Sequence, residues 1–171
     1  MIQISFKLTE QELYKGLVET SRSRLVSQLL RGLGFIVLAV IVFFTTSNIK
    51  NGTFYFSFGY VFCLLASIYM IFISEITSKF QTSNLIKTRN AYSEQIQVKV
   101  THNHIHFSGD KFSTKLTWDK VLEVVETSDF FLLKTSEGIA NPIPKRAFSA
   151  NELAEFKTTV SNSTGLKLKL A

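Results

Sequence analysis

The chain has 171 residues, 19 lysines and arginines against 13 aspartates and glutamates, and a single cysteine. That length accommodates one small soluble core, and the lone Cys63 excludes an internal disulfide framework. The net charge of +6 is dispersed among acids instead of forming one basic run, so nucleic acid is excluded as a partner for want of an electrostatic footprint. Because the apolar residues concentrate between Leu33 and Ile73, the lipid bilayer and its anionic headgroups are the nearer partner.

In chain order, Ile2, Ile4, Phe6 and Leu8 alternate with Gln3, Ser5 and Lys7, the period of a half-buried strand. Thr9 and Glu12 have the spacing of a capping box, opening a helix whose Leu13 and Leu17 start an apolar stripe. A lone strand is unstable in water, so residues 2 to 7 are expected to join the sheet of a later domain. Residues 1–31 therefore read as an N-terminal strand and amphipathic helix.

Residues 32–75 read as a transmembrane hairpin. Phe54 to Ile73 is twenty residues without a charge, which at ~1.5 Å per residue reaches roughly 30 Å, the thickness of a bilayer core. The run from Leu33 to Phe44, extended by Leu29, Leu30 and the uncharged stretch to Ile49, supplies the other span. The two spans are expected at about 30–49 and 54–73, joined at the turn signal Asn51-Gly52. A soluble buried hairpin is disfavoured because the rest of the chain has too little amphipathic material to cover it. Tyr55 and Tyr69 near the ends of the second span fit interfacial belts.

Arg22, Arg24 and Arg31 precede the first span and Lys79, Lys87 and Arg89 follow the second, whereas the connection holds only Lys50. The positive-inside rule then places both termini in the cytoplasm, in a multi-pass protein of the plasma or inner membrane. The first apolar run lies far from Met1 and lacks a small-residue cleavage site, so it is expected to stay in the mature protein. Glu75, one residue beyond the span, reads as an interfacial carboxylate in preference to a proton or ion site. Cys63 reads as a small packing residue.

After a linker over 76–93, β-type runs begin. Ile96, Val98 and Val100 alternate with polar neighbours. A turn follows at Thr101 to His104, and Ile105 and Phe107 alternate again. Beyond the turn Ser108-Gly109-Asp110, the residues Phe112, Thr114, Leu116 and Trp118 share a face, with Trp118 a core anchor. Val121 to Val125 and Phe130 to Lys134 flank the turn Thr127-Ser128-Asp129. Glu137-Gly138 then leads into Ile139 to Ile143, where Pro142 and Pro144 mark an edge strand. Ser149 and Glu152 repeat the capping-box spacing and open a helix with Leu153, Phe156 and Val160 on one side. Strands closed by one amphipathic helix are the element order of a pleckstrin-homology-like β-barrel with a C-terminal helix. The domain is expected over 94–163, with a tail at 164–171, and the fold class is an α+β membrane protein.

Leu116-Thr117-Trp118-Asp119-Lys120-Val121, Val124-Val125-Glu126-Thr127, Phe130-Phe131-Leu132-Leu133 and Pro142-Ile143-Pro144-Lys145-Arg146-Ala147-Phe148 together resemble the C-terminal domain of YcxB-like proteins. That resemblance extends over nearly the whole chain. It implies a small bacterial membrane protein with a two-span hairpin before the domain, and it carries no established activity or catalytic residues. The turn His102-Asn103-His104 departs from the family, which tends to have Asp or Gly there.

His102, His104 and His106 are spaced by two, a pattern that can place imidazoles on one strand face as metal ligands, but no cysteine or carboxylate cluster completes a shell. No nucleophile elbow or glycine-rich phosphate loop is present, so neither catalytic residues nor cofactors are expected. Lys145 and Arg146, after the rigid Pro-Ile-Pro segment, are the candidate contacts for an anionic headgroup or a partner. The expected function is a membrane-anchored binding or scaffold module for a protein or anionic-lipid partner. The competing class is an enzyme or ion-handling accessory protein at the membrane surface.

Overall fold

The computed structural model describes residues 1–53, 55, 57–88, 94–136, 139–163 and, for the backbone alone, 168–170. The expected turn at Glu137-Gly138 lies outside the described residues, as do positions 89–93 of the expected linker. The chain divides into two compact units, one formed by Met1–Ser21 with Ser78–Ala171, the other by Arg22–Thr77.

In the discontinuous unit, strands β1 (Ile2–Phe6), β2 (Ile96–Val100), β3 (His104–Ser108) and β4 (Ser113–Thr117) form an antiparallel sheet in that order. Ile4 stands opposite Val98, so the N-terminal strand does join the sheet of the distant domain. Alternation sends Ile2, Ile4, Phe6, Ile96, Val98, Val100, Ile105 and Phe107 into the core and their polar neighbours to the other face.

The second sheet runs β7-β6-β5-β8, from β5 (Glu123–Glu126), β6 (Phe130–Ser136), β7 (Ile139–Pro144) and β8 (Leu168–Leu170). Its neighbours are antiparallel except β5 and β8, which are parallel. The segment read as a tail thus supplies an edge strand. At the other edge lies β7, where Pro142 and Pro144 need no ladder hydrogen bond of their own.

Strand β6 is buried on both faces from Phe130 to Lys134. Helix α1 (Glu10–Arg22) covers one face so closely that a Cβ on Gly16 would stand 2.9 Å from Pro142 Cβ. The C-terminal helix α5 (Ala150–Asn162) meets residues of the opposite parity, with the Phe156 ring centroid 4.8 Å from that of Phe131. Both helices start with the expected capping boxes, Thr9 with Glu12 and Ser149 with Glu152.

The fold is α+β, but its strands form two open sheets and not the closed barrel expected from element order. The ladder stops after β4 because Trp118 enters a 3-10 turn, Trp118–Lys120. There its indole is buried and its ring N–H donates to the Thr101 carbonyl at 3.0 Å. A core anchor at that point ends the first sheet before β5 begins.

In the other unit, α2 (Leu25–Lys50) turns at Asn51-Gly52, where Gly52 adopts φ +68°, and α3 (Phe58–Ile71) returns. The two helices pack at Gly34, where a Cβ would lie 2.9 Å from Ile71 Cγ1 and 3.0 Å from the Ser67 carbonyl oxygen. Most other large apolar side chains of the pair face outwards, including Phe43, 69% exposed, and Phe62, 64% exposed.

Helix α2 has 26 residues and is long and apolar enough to cross a membrane, at roughly 39 Å by its rise. The second expected span differs. Ser57 caps α3 by accepting from the Tyr60 N–H, so the helix starts at Phe58, and it ends at Ile71. A bend of 62° separates it from the next helix, α4 (Ile73–Thr88). Beside the bend the Thr77 hydroxyl donates to the Ile73 carbonyl at 2.7 Å, a side-chain bond of the kind that bends helices. Among the described residues, α3 and α4 qualify only together, as a broken span or a re-entrant loop. Helix α4 also occupies most of the stretch read as a linker.

Candidate functional site

Lys145 and Arg146 lie in a 3-10 turn, Lys145–Ala147, immediately after β7. Pro144, with φ −70°, sets the direction of entry, and the Lys145 N–H donates to the Asp129 carbonyl at 2.7 Å. That fixes the corner against the turn between β5 and β6.

Each side chain at the corner is already held by a carboxylate. Lys145 Nζ donates to Glu126 Oε1 at 2.8 Å and sits 5.4 Å from the centroid of the Phe131 ring. Lys157 of α5 reaches the same oxygen at 2.7 Å. Arg146 grips Glu12 with both ends of its fork, at 2.5 Å and 2.8 Å, and also donates to the Lys7 carbonyl at 2.8 Å. Lys15 pairs with Asp129, and the Thr127 hydroxyl donates to Glu19 at 2.5 Å.

These contacts set the protonation states. The hydrogen bond from Arg146 is the main cause that brings Glu12 down to about 2. Burial opposes ionisation of Glu126, yet the hydrogen bonds from Lys145 and Lys157 outweigh it and keep the carboxyl below its usual range. Asp129 is likewise lowered, first by its hydrogen bond from Lys15. The corner is therefore fully charged near neutrality. It joins α1, the β5–β6 turn, β7 and α5, and an incoming anion has to compete with Glu126 and Glu12 for the two cations.

The three histidines do not converge. His104 Nδ1 lies 3.1 Å from the Thr101 hydroxyl and His106 Nε2 lies 2.8 Å from the Ser113 hydroxyl, while His102 stands in the turn. Among the described residues no three metal-ligating side chains come together. Glu75 pairs with Arg22. Cys63 is exposed on α3, unlike the packing residue expected. It lines a cleft of about 330 Å³ with Ile41, Thr45, Asn48 and Tyr60, where the Thr45 hydroxyl donates to Tyr60 at 3.1 Å.

Sequence reasoning did not identify Glu12, Glu126 and Lys157 as partners of the corner, since the Arg146–Glu12 pair is 134 positions apart and no local pattern records it. It also missed a buried ion pair. Lys134 Nζ donates to Glu123 Oε1 at 2.7 Å with side-chain exposures of 4% and 12%. Here a signal existed, because a hairpin turning at Thr127 to Phe130 puts Glu123 opposite Lys134.

In comparison with known proteins, the family model described as YcxB-like protein matches residues 100–160. That is the part containing the corner and the histidines, and not the nearly complete coverage expected from resemblance. No curated protein and no solved structure matches the chain.

Proposed function

From the premise that residues 100–160 carry a YcxB-like domain, we propose that this chain is a membrane-anchored binding or scaffold module. The α2–α3 hairpin crosses a bacterial cell membrane twice, the second time as a broken span, and has both termini in the cytoplasm. It holds an α+β unit that is pleckstrin-homology-like in its strand order and closing helix. One observation carries the reading: α2 turns most of its leucines, valines and phenylalanines outwards along its length. In water such a surface would be an aggregation site, whereas in hydrocarbon it is solvated.

The module class is supported by the chemistry of the corner. Its acids and bases are neutralised against one another and serve to join elements, which suits a rigid platform better than general acid–base work. Lys145 and Arg146 are its contacts to an anionic headgroup or partner.

Two measurements test this. A reporter fused after Ala171 is expected to be active only if it functions in the cytoplasm, and activity of an exported reporter instead would overturn the topology. Crosslinking in native membranes is expected to trap a defined partner, protein or anionic lipid, in proportions reduced by replacing Lys145 and Arg146 with alanine. Trapping of bulk lipid alone, unchanged by the replacements, would refute the corner as a binding contact.

A further inference from the structure

The outer face of the first sheet differs from every other polar surface of its unit. The register places Gln3, Lys99, His106 and Lys115 in one row across all four strands. Flanking it are Ser5, Gln97, Ser108 and Ser113 on one side and His104 opposite Thr117 on the other. Strand alternation turns all of these away from the core, and none is an acid. Around the second sheet four lysines with described side chains behave differently: Lys15, Lys134, Lys145 and Lys157 each pair with a carboxylate. Among the described residues Lys99 and Lys115 have no carboxylate within ion-pair distance.

The geometry points to this bare sheet face as a docking surface for anionic phospholipid headgroups of the membrane that holds the hairpin. The inference rests on the anchored-module reading and names what the module's flat face contacts. Charge complementarity selects the occupant, because a face with two lysines and two histidines and no acid attracts phosphate and repels a basic partner. The short residues Ser5, Ser108, Ser113 and Thr117 flank the row without raising a rim that would hold a broad surface off the lysines. Affinity is not demanded of so few charges, because each lysine near an anionic leaflet contributes about fivefold. Tethering makes the contact intramolecular, so a weak attraction populates it.

The His104 imidazole makes the attraction depend on pH. The charged groups facing His106 are Lys99 on β2 and Lys115 on β4, and His104 faces Lys115 and its strand neighbour His106. Burial first, then those cations, keeps His104 below its ordinary value, so near neutrality it is uncharged. Acidification adds positive charge to the face and tightens docking.

The test uses the full chain in lipid nanodiscs, with Cys63→Ser and a spin label at Gln97→Cys on the bare face. Accessibility to a water-soluble nickel reagent is compared in phosphatidylcholine discs with and without phosphatidylglycerol. Phosphatidylglycerol is expected to protect the label, more so at about pH 6 than at about pH 8, and high salt is expected to remove the protection. Lys99→Gln with Lys115→Gln should reduce the docked-to-free ratio by about twenty-five-fold, while unchanged Trp118 fluorescence verifies the fold. Equal accessibility in both lipids, with the protein inserted in the discs, overturns the docking surface and leaves the anchor intact. Failure to enter the discs at all overturns the anchored-module reading on which it rests.

Discussion

The two units handle the same kinds of side chain in opposite ways. In the discontinuous unit Phe130, Phe131, Phe156 and Leu133 are fully buried, whereas in the hairpin Phe43, Phe44 and Phe62 face outwards and the tight contact is made at Gly34 against Ser67. The difference teaches that hydrophobicity alone does not locate a core. In water the apolar area must be hidden. In hydrocarbon nothing is gained by hiding it, and close approach of small residues holds helices together.

Truncation breaks the comparison most sharply. Phe156→Ala, where three phenylalanine rings meet, is expected to cost about 3–5 kcal/mol, measured by urea unfolding followed through the fluorescence of Trp118. A similar loss for Phe43→Ala would show that the hairpin surface is packed after all. Next in size is a charge placed on the outward surface. Ile36, 63% exposed near the middle of α2, is a position where lysine would be harmless in water, yet Ile36→Lys is expected to disfavour membrane insertion by about 3 kcal/mol. Glycosylation mapping of inserted and non-inserted chains reads this directly, and insertion equal to wild type would remove α2 as a span.

The smallest effect sharpens the polar side of the contrast. Arg146→Ala should cost about 1 kcal/mol, because the pair with Glu12 is partly solvated. Glu12 has a folded-state value of about 2, below the ordinary 4.5. Its contribution is therefore complete above about pH 4.5 and is lost as the pH falls towards 2. The variant should show a flatter decline of stability across that window, and an unchanged slope would mean that the pair contributes nothing.

What the sequence revealed followed from local periodicity. Alternation at Ile2, Ile4 and Phe6 and the capping signals at Thr9 and Ser149 depend only on neighbours, and all correspond to elements present. The N-terminal strand's partner was legible because an isolated strand has no stable alternative. The closed barrel was not, because closure depends on whether β4 continues into β5, and that was settled by the burial of Trp118. Within the second apolar run the helix is shorter than the run itself, because an absence of charge reveals neither the cap at Ser57 nor the bend after Ile71. At the candidate site, Lys145 and Arg146 were visible as a basic pair after two prolines, but their carboxylate partners came from α1 and β5, where no spacing rule reaches.

The pairing of β1 with β2 bears on how the molecule is made. The first strand leaves the ribosome some ninety residues ahead of the one it adjoins, with the helical hairpin between them. The sheet is completed only once β2 has emerged, after the whole hairpin has been made. Residues 94–163, the boundary that periodicity suggests for an independent domain, would lack this strand and leave the β2 edge open to pairing between chains. A helical hairpin set inside the sequence of the discontinuous unit, instead of ahead of it, makes the hairpin part of that unit's folding sequence.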